Sequence, residues 1–123
     1  YAYDTNSTDS TDWDRVVSGL GAGPRLLTDG KVTADPQKEN FSSWKIVSSA
    51  QARSAIGVTK DNKLLLVTVN SASITELAEV MKHLGAVDAM NLDGGASSGL
   101  YYDGKYLTTP GRDLSNAIII YSK

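Results

Sequence analysis

Residues 91–99 read Asn-Leu-Asp-Gly-Gly-Ala-Ser-Ser-Gly, and several groups able to do chemistry fall together there. Asp93 supplies a carboxylate at the end of an apolar run, where a rigid element would hold it. Gly94 and Gly95 let backbone come close to a ligand and take positive φ. Consecutive amides in such a turn form a nest that binds an anion. Ser97 and Ser98 add hydroxyl donors. Together these groups make the lip of a pocket. The same residues also read as a glycine-rich connection in which Asp93 caps its own turn, and residue type alone leaves both readings open.

Other polar groupings are weaker. Asp4, Asn6, Thr8, Ser10 and Asp12 alternate like the ligands of a calcium loop, but that loop needs Gly sixth and Glu twelfth. Asp9 and Arg15 stand there instead, so residues 1–18 read as a polar linker or loop. Gly19, Gly21 and Gly23 lack the strand, glycine loop and long helix of a dinucleotide site. His83 is the single histidine and has no evident catalytic partner. The chain has no cysteine, so no soft-ligand metal set exists. Neither a metal nor a cofactor is expected. A net charge of −2 without a dense Lys/Arg cluster argues against nucleic acid. The apolar runs Leu64–Val67 and Ala117–Tyr121 are strand-length, which argues against membrane insertion. The chain opens on Tyr1 with neither an initiator Met nor a signal peptide, as expected of a processed or excised fragment.

The elements that must position the Asp93 turn follow from local patterns. At 123 residues, one domain is expected. Arg25–Thr28 and Lys31–Thr33 form a hairpin around Asp29-Gly30, a pair tolerant of positive φ. Asp35-Pro36 opens a short helix through Asn40, and Trp44–Val47 is a short strand. Residues 52–59 and 63–70 are strands joined by a turn, with Leu64–Val67 buried on both faces. Ser73-x-x-Glu76 is a capping box. It starts a helix with its apolar stripe on Ile74, Leu77, Ala78, Met81 and Leu84, which Gly85 ends. Ala86–Leu92 is the strand that delivers Asp93. A second hairpin turns at Asp103-Gly104, and Ala117–Tyr121 closes the chain as a strand. The expected class is α+β, a mostly antiparallel sheet with one main helix, about residues 73–84, packed on it.

Three blocks in order carry a family resemblance. They are GLGAGPRLLTDGKV (19–32), ARSAIGVTKDNKLLLVTVN (52–70) and ITELAEVMKHLGAVDAMNLDGGASSGLYYDGK (74–105), completed by LSNAIIIY (114–121). These resemble the phosphodiester glycosidase family. The departures are Ala96 where the family has a third glycine and Gly99 where it has threonine. The family's upstream Asn-Gly-Gly-Phe-like motif is absent. The resemblance therefore implies that residues 19–123 are the C-terminal portion of such a domain, with the upstream half as a partner.

The implied reaction is hydrolysis of a sugar-1-phosphate diester to free sugar and phosphomonoester. On that reading Asp93 activates water or supports the oxocarbenium ion. Arg53 grips the phosphate, although it would equally pair with Asp93 as a structural bridge. The Gly94 and Gly95 amides and the Ser97 hydroxyl bind sugar or phosphate oxygens. Ser98 lies in the same substrate-binding turn or packs it, and Asn116 orients the Asp93 loop. Arg112 and Asp113 sit on a loop able to reach the pocket. The implied ligand is a cell-surface or exopolysaccharide glycan, and the implied location is extracellular or in a bacterial cell envelope. A non-catalytic binding module and a structural wall or spore domain are the alternatives.

Overall fold

The computed structural model describes residues 18–121. The polar start of the chain, with its alternation from Asp4 to Asp12, lies outside the described residues. Strands β1 (Arg25–Thr28), β2 (Lys31–Val32), β3 (Gln51–Thr59), β4 (Leu64–Ala72) and β5 (Ala86–Asn91) make one five-stranded sheet in the order β2-β1-β5-β3-β4. All its pairings are antiparallel. A separate hairpin pairs β6 (Leu100–Tyr102) with β7 (Lys105–Thr108). The two helices are α1 (Trp44–Val47) and α2 (Ile74–His83). This is an α+β chain in which the β component outweighs the single substantial helix.

Local chemistry explains α2. Ser73 Oγ accepts from the Glu76 amide, and Glu76 Oε2 accepts from the Ser73 amide at 2.7 Å, so both halves of the capping box form. Gly85, at φ 87°, ends the helix in the left-handed region. The buried stripe of Ile74, Leu77, Ala78 and Met81 packs against Leu26, Leu27, Ala55, Ala86 and Ala89 of the sheet. Gly57 permits that approach, because an added Cβ would stand 2.7 Å from Met81 Cε and 2.9 Å from the Asp88 carbonyl oxygen. Both hairpin turns form where the Asp-Gly pairs lie, with φ of 50° and 74° at Asp29-Gly30 and 48° and 78° at Asp103-Gly104.

Four local expectations are corrected. Pro36 to Asn40 form turns instead of a helix. Asp35 Oδ1 accepts the Lys38 amide, and Asn40 at φ 63° stops the chain after that turn. Trp44–Val47 is helical, not extended. The Ser43 carbonyl receives both the Ile46 and Val47 amides at 2.9 Å, and this local closure overrides the β preference of Trp, Ile and Val. Leu64–Val67 is not buried on both faces. β4 is the edge of the sheet, and Leu64 remains 45% exposed. Residues 117–121 form no strand, and Ile119 is 77% exposed, because no described strand lies beside them.

Candidate active site

β5 is the central strand of the sheet, and the Asp93 turn leaves from its end. Pairing runs slightly past β5, because the Leu92 amide donates to the Ser54 carbonyl at 2.8 Å. On the other side, the Gly23 amide donates to the Asn91 carbonyl at 2.9 Å, and the Asn91 amide to the Pro24 carbonyl at 3.0 Å. The turn thus emerges between two fixed backbones. Gly94 lies against β3 so closely that an added Cβ would stand 2.7 Å from the Ala52 carbonyl oxygen. Gly95 takes φ 60° and opens a 3-10 turn over Gly95–Ser97. That turn closes through Ser97 and Ser98 amides donating to the Gly94 and Gly95 carbonyls, each at 3.1 Å.

Asp93 projects from this frame with its side chain 73% exposed. One oxygen, Oδ1, accepts the Gly94 amide at 3.0 Å, so Asp93 does cap its own turn. The other, Oδ2, accepts from Arg112 Nη2 at 2.9 Å, and the same nitrogen donates to Ser97 Oγ. Hydrogen bonding from Ser97 is the main influence that holds the Asp93 carboxyl below the usual carboxylate range. Burial opposes it, and the Gly94 amide and Arg112 each add a smaller lowering effect. The carboxylate is therefore ionised at neutral pH and faces a cation.

Asp93 and Gly94 line a cleft of about 340 Å³ with Gly21, Ala22, Gly23, Phe41, Ile46, Asn91 and Leu92. Phe41 and Ile46 give it an apolar wall. The Phe41 ring covers Gly23, whose added Cβ would stand 2.9 Å from Phe41 Cζ. Asn91, only 2% exposed, ties the floor together by donating Nδ2 to the Gly23 carbonyl at 2.8 Å. That bond orients the amide, and Asn91 Oδ1 is left buried with no described partner. Among the described residues no group of three or more His, Asp or Glu side chains is placed to hold a metal.

The structure brings Gly94, Gly95 and Ser97 together with Asp93. Ser98 is in the same turn but buried, with its Oγ lacking a described partner. Arg53 is elsewhere. It is 2% exposed on the face of β3 that also carries Ala55, under α2. Its Nε donates to the Ala72 carbonyl at 3.0 Å, and Nη2 to the Lys45 and Ser49 carbonyls at 2.6 and 2.8 Å. Burial lowers its pKa from the ordinary guanidinium value. Arg53 thus serves carbonyls at the end of α1, which helix geometry leaves without backbone partners, and the expected bridge to Asp93 does not form. Asn116 is exposed and makes no hydrogen bond to the Asp93 turn. Arg112 takes the position beside Asp93. Its signal in the sequence was the Pro110-Gly111 bend just before it. Asn91 and Phe41 carried no comparable signal, because an apolar strand end and a lone aromatic read as core.

The sequence model described as phosphodiester glycosidase matches residues 2–121. The SPbeta prophage-derived uncharacterized protein YomE of Bacillus subtilis (strain 168) is 26% identical over 101 residues, covering 76% of this chain and 15% of that protein. A hypothetical protein from Synechocystis superposes with a TM-score of 0.68 at 36% identity, over 75% of this chain and 18% of that one. The catalytic domain of zebrafish N-acetylglucosamine-1-phosphodiester alpha-N-acetylglucosaminidase, auto-inhibited by its pro-peptide, superposes with a TM-score of 0.61 at 25% identity. That match covers 74% of this chain and 34% of the zebrafish chain. The present chain spans between 15% and 34% of the length of these relatives.

Proposed function

The chain belongs to the phosphodiester glycosidase family, and on that premise we propose that its Asp93 turn hydrolyses a sugar-1-phosphate diester. The observation that carries this reading is an ionised Asp93 facing Arg112 at the rim of the cleft. Asp93 takes a proton from water as the water oxygen bonds to the anomeric carbon. The bond from that carbon to the phosphate oxygen breaks, and its electron pair leaves with the phosphate. The products are free sugar and phosphomonoester. Ordinary glycosidases use two carboxylates because their leaving group needs a proton. A phosphomonoester leaves as a stabilised anion, which suits a cleft with Asp93 as the one acid among its described lining residues. Phe41 and Ile46 pack one face of the sugar, while the Gly95 amide and Ser97 hydroxyl serve its oxygens. We place this activity on cell-surface or exopolysaccharide glycans, outside the cytoplasm, with the upstream half of the domain as the partner that completes the site. The test is release of reducing sugar from a sugar-1-phosphate diester by this chain, alone and with the upstream polypeptide added. No release in either case, from folded protein, would sink the proposal.

A second reading keeps the site for sugar-phosphate binding without turnover. It is favoured by the bonds that both Asp93 oxygens already make, one to Gly94 and one to Arg112, which lower the basicity of the carboxylate. Binding of the diester with no product over many hours would select it.

A further inference from the structure

We infer that Arg112 is the phosphate-binding residue of this site, and that its bond to Asp93 is a latch which the ligand's phosphate must open. The inference rests on the reading of the ligand as a sugar phosphate and assigns the group that grips it.

The argument begins with the guanidinium. It is planar and offers five N–H donors in fixed directions. A phosphate is gripped best by two parallel donors, either from Nε and Nη2 or from Nη1 and Nη2. Nη2 belongs to both forks. In this structure Nη2 is the nitrogen already engaged, with Asp93 Oδ2 at 2.9 Å and with Ser97 Oγ. Nε and Nη1 donate to no described residue. A two-pronged phosphate therefore takes an Nη2 proton from Asp93 or from Ser97. Asp93 is the partner to yield, because an incoming anion beside it adds like-charge repulsion, which the neutral Ser97 hydroxyl does not feel.

The rest of the loop is built to keep Arg112 in place while this exchange happens. The Gly111 amide donates to the Ala96 carbonyl at 2.8 Å, tying the loop to the Asp93 turn one residue before Arg112. Pro110 lies on Gly99, where an added Cβ would stand 3.3 Å from the proline ring. The glycine at position 99, one of the two departures from the family pattern, thus makes room for the loop that carries the arginine. With the backbone fastened just before Arg112, the latch opens by rotation of the Arg112 side chain, which is 59% exposed. Arg53 has no such freedom, since its donors are buried on carbonyls.

The exchange has an observable sign. A competitor for Arg112 weakens phosphate binding, so removing that competitor strengthens it. The experiment is an amide NMR titration of the whole chain with inorganic phosphate at fixed ionic strength, with the Asp93 side-chain carboxyl carbon followed in parallel. Wild-type protein should shift at Gly95, Ser97 and Arg112, and the Asp93 carboxyl resonance should move as its bond to Arg112 is lost. Arg112→Gln should weaken binding at least tenfold, and Arg112→Lys severalfold because it keeps charge but loses the fork. Asp93→Asn should tighten binding severalfold. A purely structural latch predicts no tightening in Asp93→Asn. That result, wild-type affinity in Arg112→Gln, or no binding to the wild type would each overturn the inference. Peak dispersion reports folding of each variant, and Arg112→Lys serves if Arg112→Gln does not fold. A parallel titration with a sugar 1-phosphate and with the neutral sugar separates recognition of the phosphate from recognition of the ring. Turnover without Arg112-dependent phosphate binding would remove this inference and leave the hydrolase. Arg112-dependent binding without turnover would do the reverse.

Discussion

Arg112 Nη2 lies 2.9 Å from Asp93 Oδ2, across nineteen residues of sequence, and this pair sets the charge balance of the cleft rim. Each charge is more than half exposed, so the pair contributes little to stability. On the proposed reading its consequence is functional, since it would hold a carboxylate and a phosphate-binding cation at one point.

Asp93→Asn separates chemistry from recognition. If the carboxylate activates water, turnover should fall by about 10²–10⁴-fold, while affinity for a sugar phosphate improves severalfold. The check is to measure hydrolysis and binding on one sample. Unchanged turnover would remove Asp93 from the mechanism.

The pH profile tests the same group. The folded-state pKa of Asp93 lies below its unfolded value, so its contribution to stability is present above the unfolded value. That contribution is lost as pH falls through the folded one. Asp35, Asp61 and Glu76 are depressed in the same sense, chiefly by hydrogen bonds from Lys38, Lys63 and Ser73. Acid unfolding therefore mixes several groups, whereas the acid limb of kcat/KM reports Asp93. That limb should sit below the usual aspartate range and move upward in Ser97→Ala, which removes the largest stabilising hydrogen bond. A limb that stays in place would mean Ser97 does not set it.

Arg53→Met should cost stability. Three carbonyls lose a donor, of which that of Lys45 keeps Ser49 Oγ. Orphaned buried groups cost about 1–3 kcal/mol each, and water reaches those of Lys45 and Ser49 once the arginine is gone. A loss of about 3 kcal/mol by denaturant unfolding is expected, with phosphate affinity unchanged in the folded protein. A large loss of phosphate affinity at full stability would restore Arg53 as the phosphate ligand.

Gly94→Ala should damage both fold and site. The added Cβ meets the Ala52 carbonyl oxygen of β3 at 2.7 Å, a backbone atom that cannot swing aside as the end of a flexible side chain would. Overpacking of this kind costs about 1–3 kcal/mol, and the displaced turn carries Asp93 with it. Wild-type stability together with wild-type turnover would contradict the geometry.

Several parts of this protein were legible in the sequence. Ser73, Glu76 and Gly85 define α2, and the two Asp-Gly pairs define the hairpins, because caps and positive-φ turns are settled among residues at most a few positions apart. The same holds for the Asp93 turn, with its glycines and its self-capping carboxylate. Tertiary structure decided which arginine meets Asp93. Arg53 and Arg112 are equally good guanidinium groups by type. Strand alternation turns the first under α2, and a loop tied to Ala96 brings the second to the rim. Tertiary structure also put apolar β4 at a sheet edge and left residues 117–121 unpaired. The physical reason is common to all of them. Burial and ion pairing depend on neighbours that the chain reaches only after it has folded, whereas a cap or a tight turn depends on neighbours it already has.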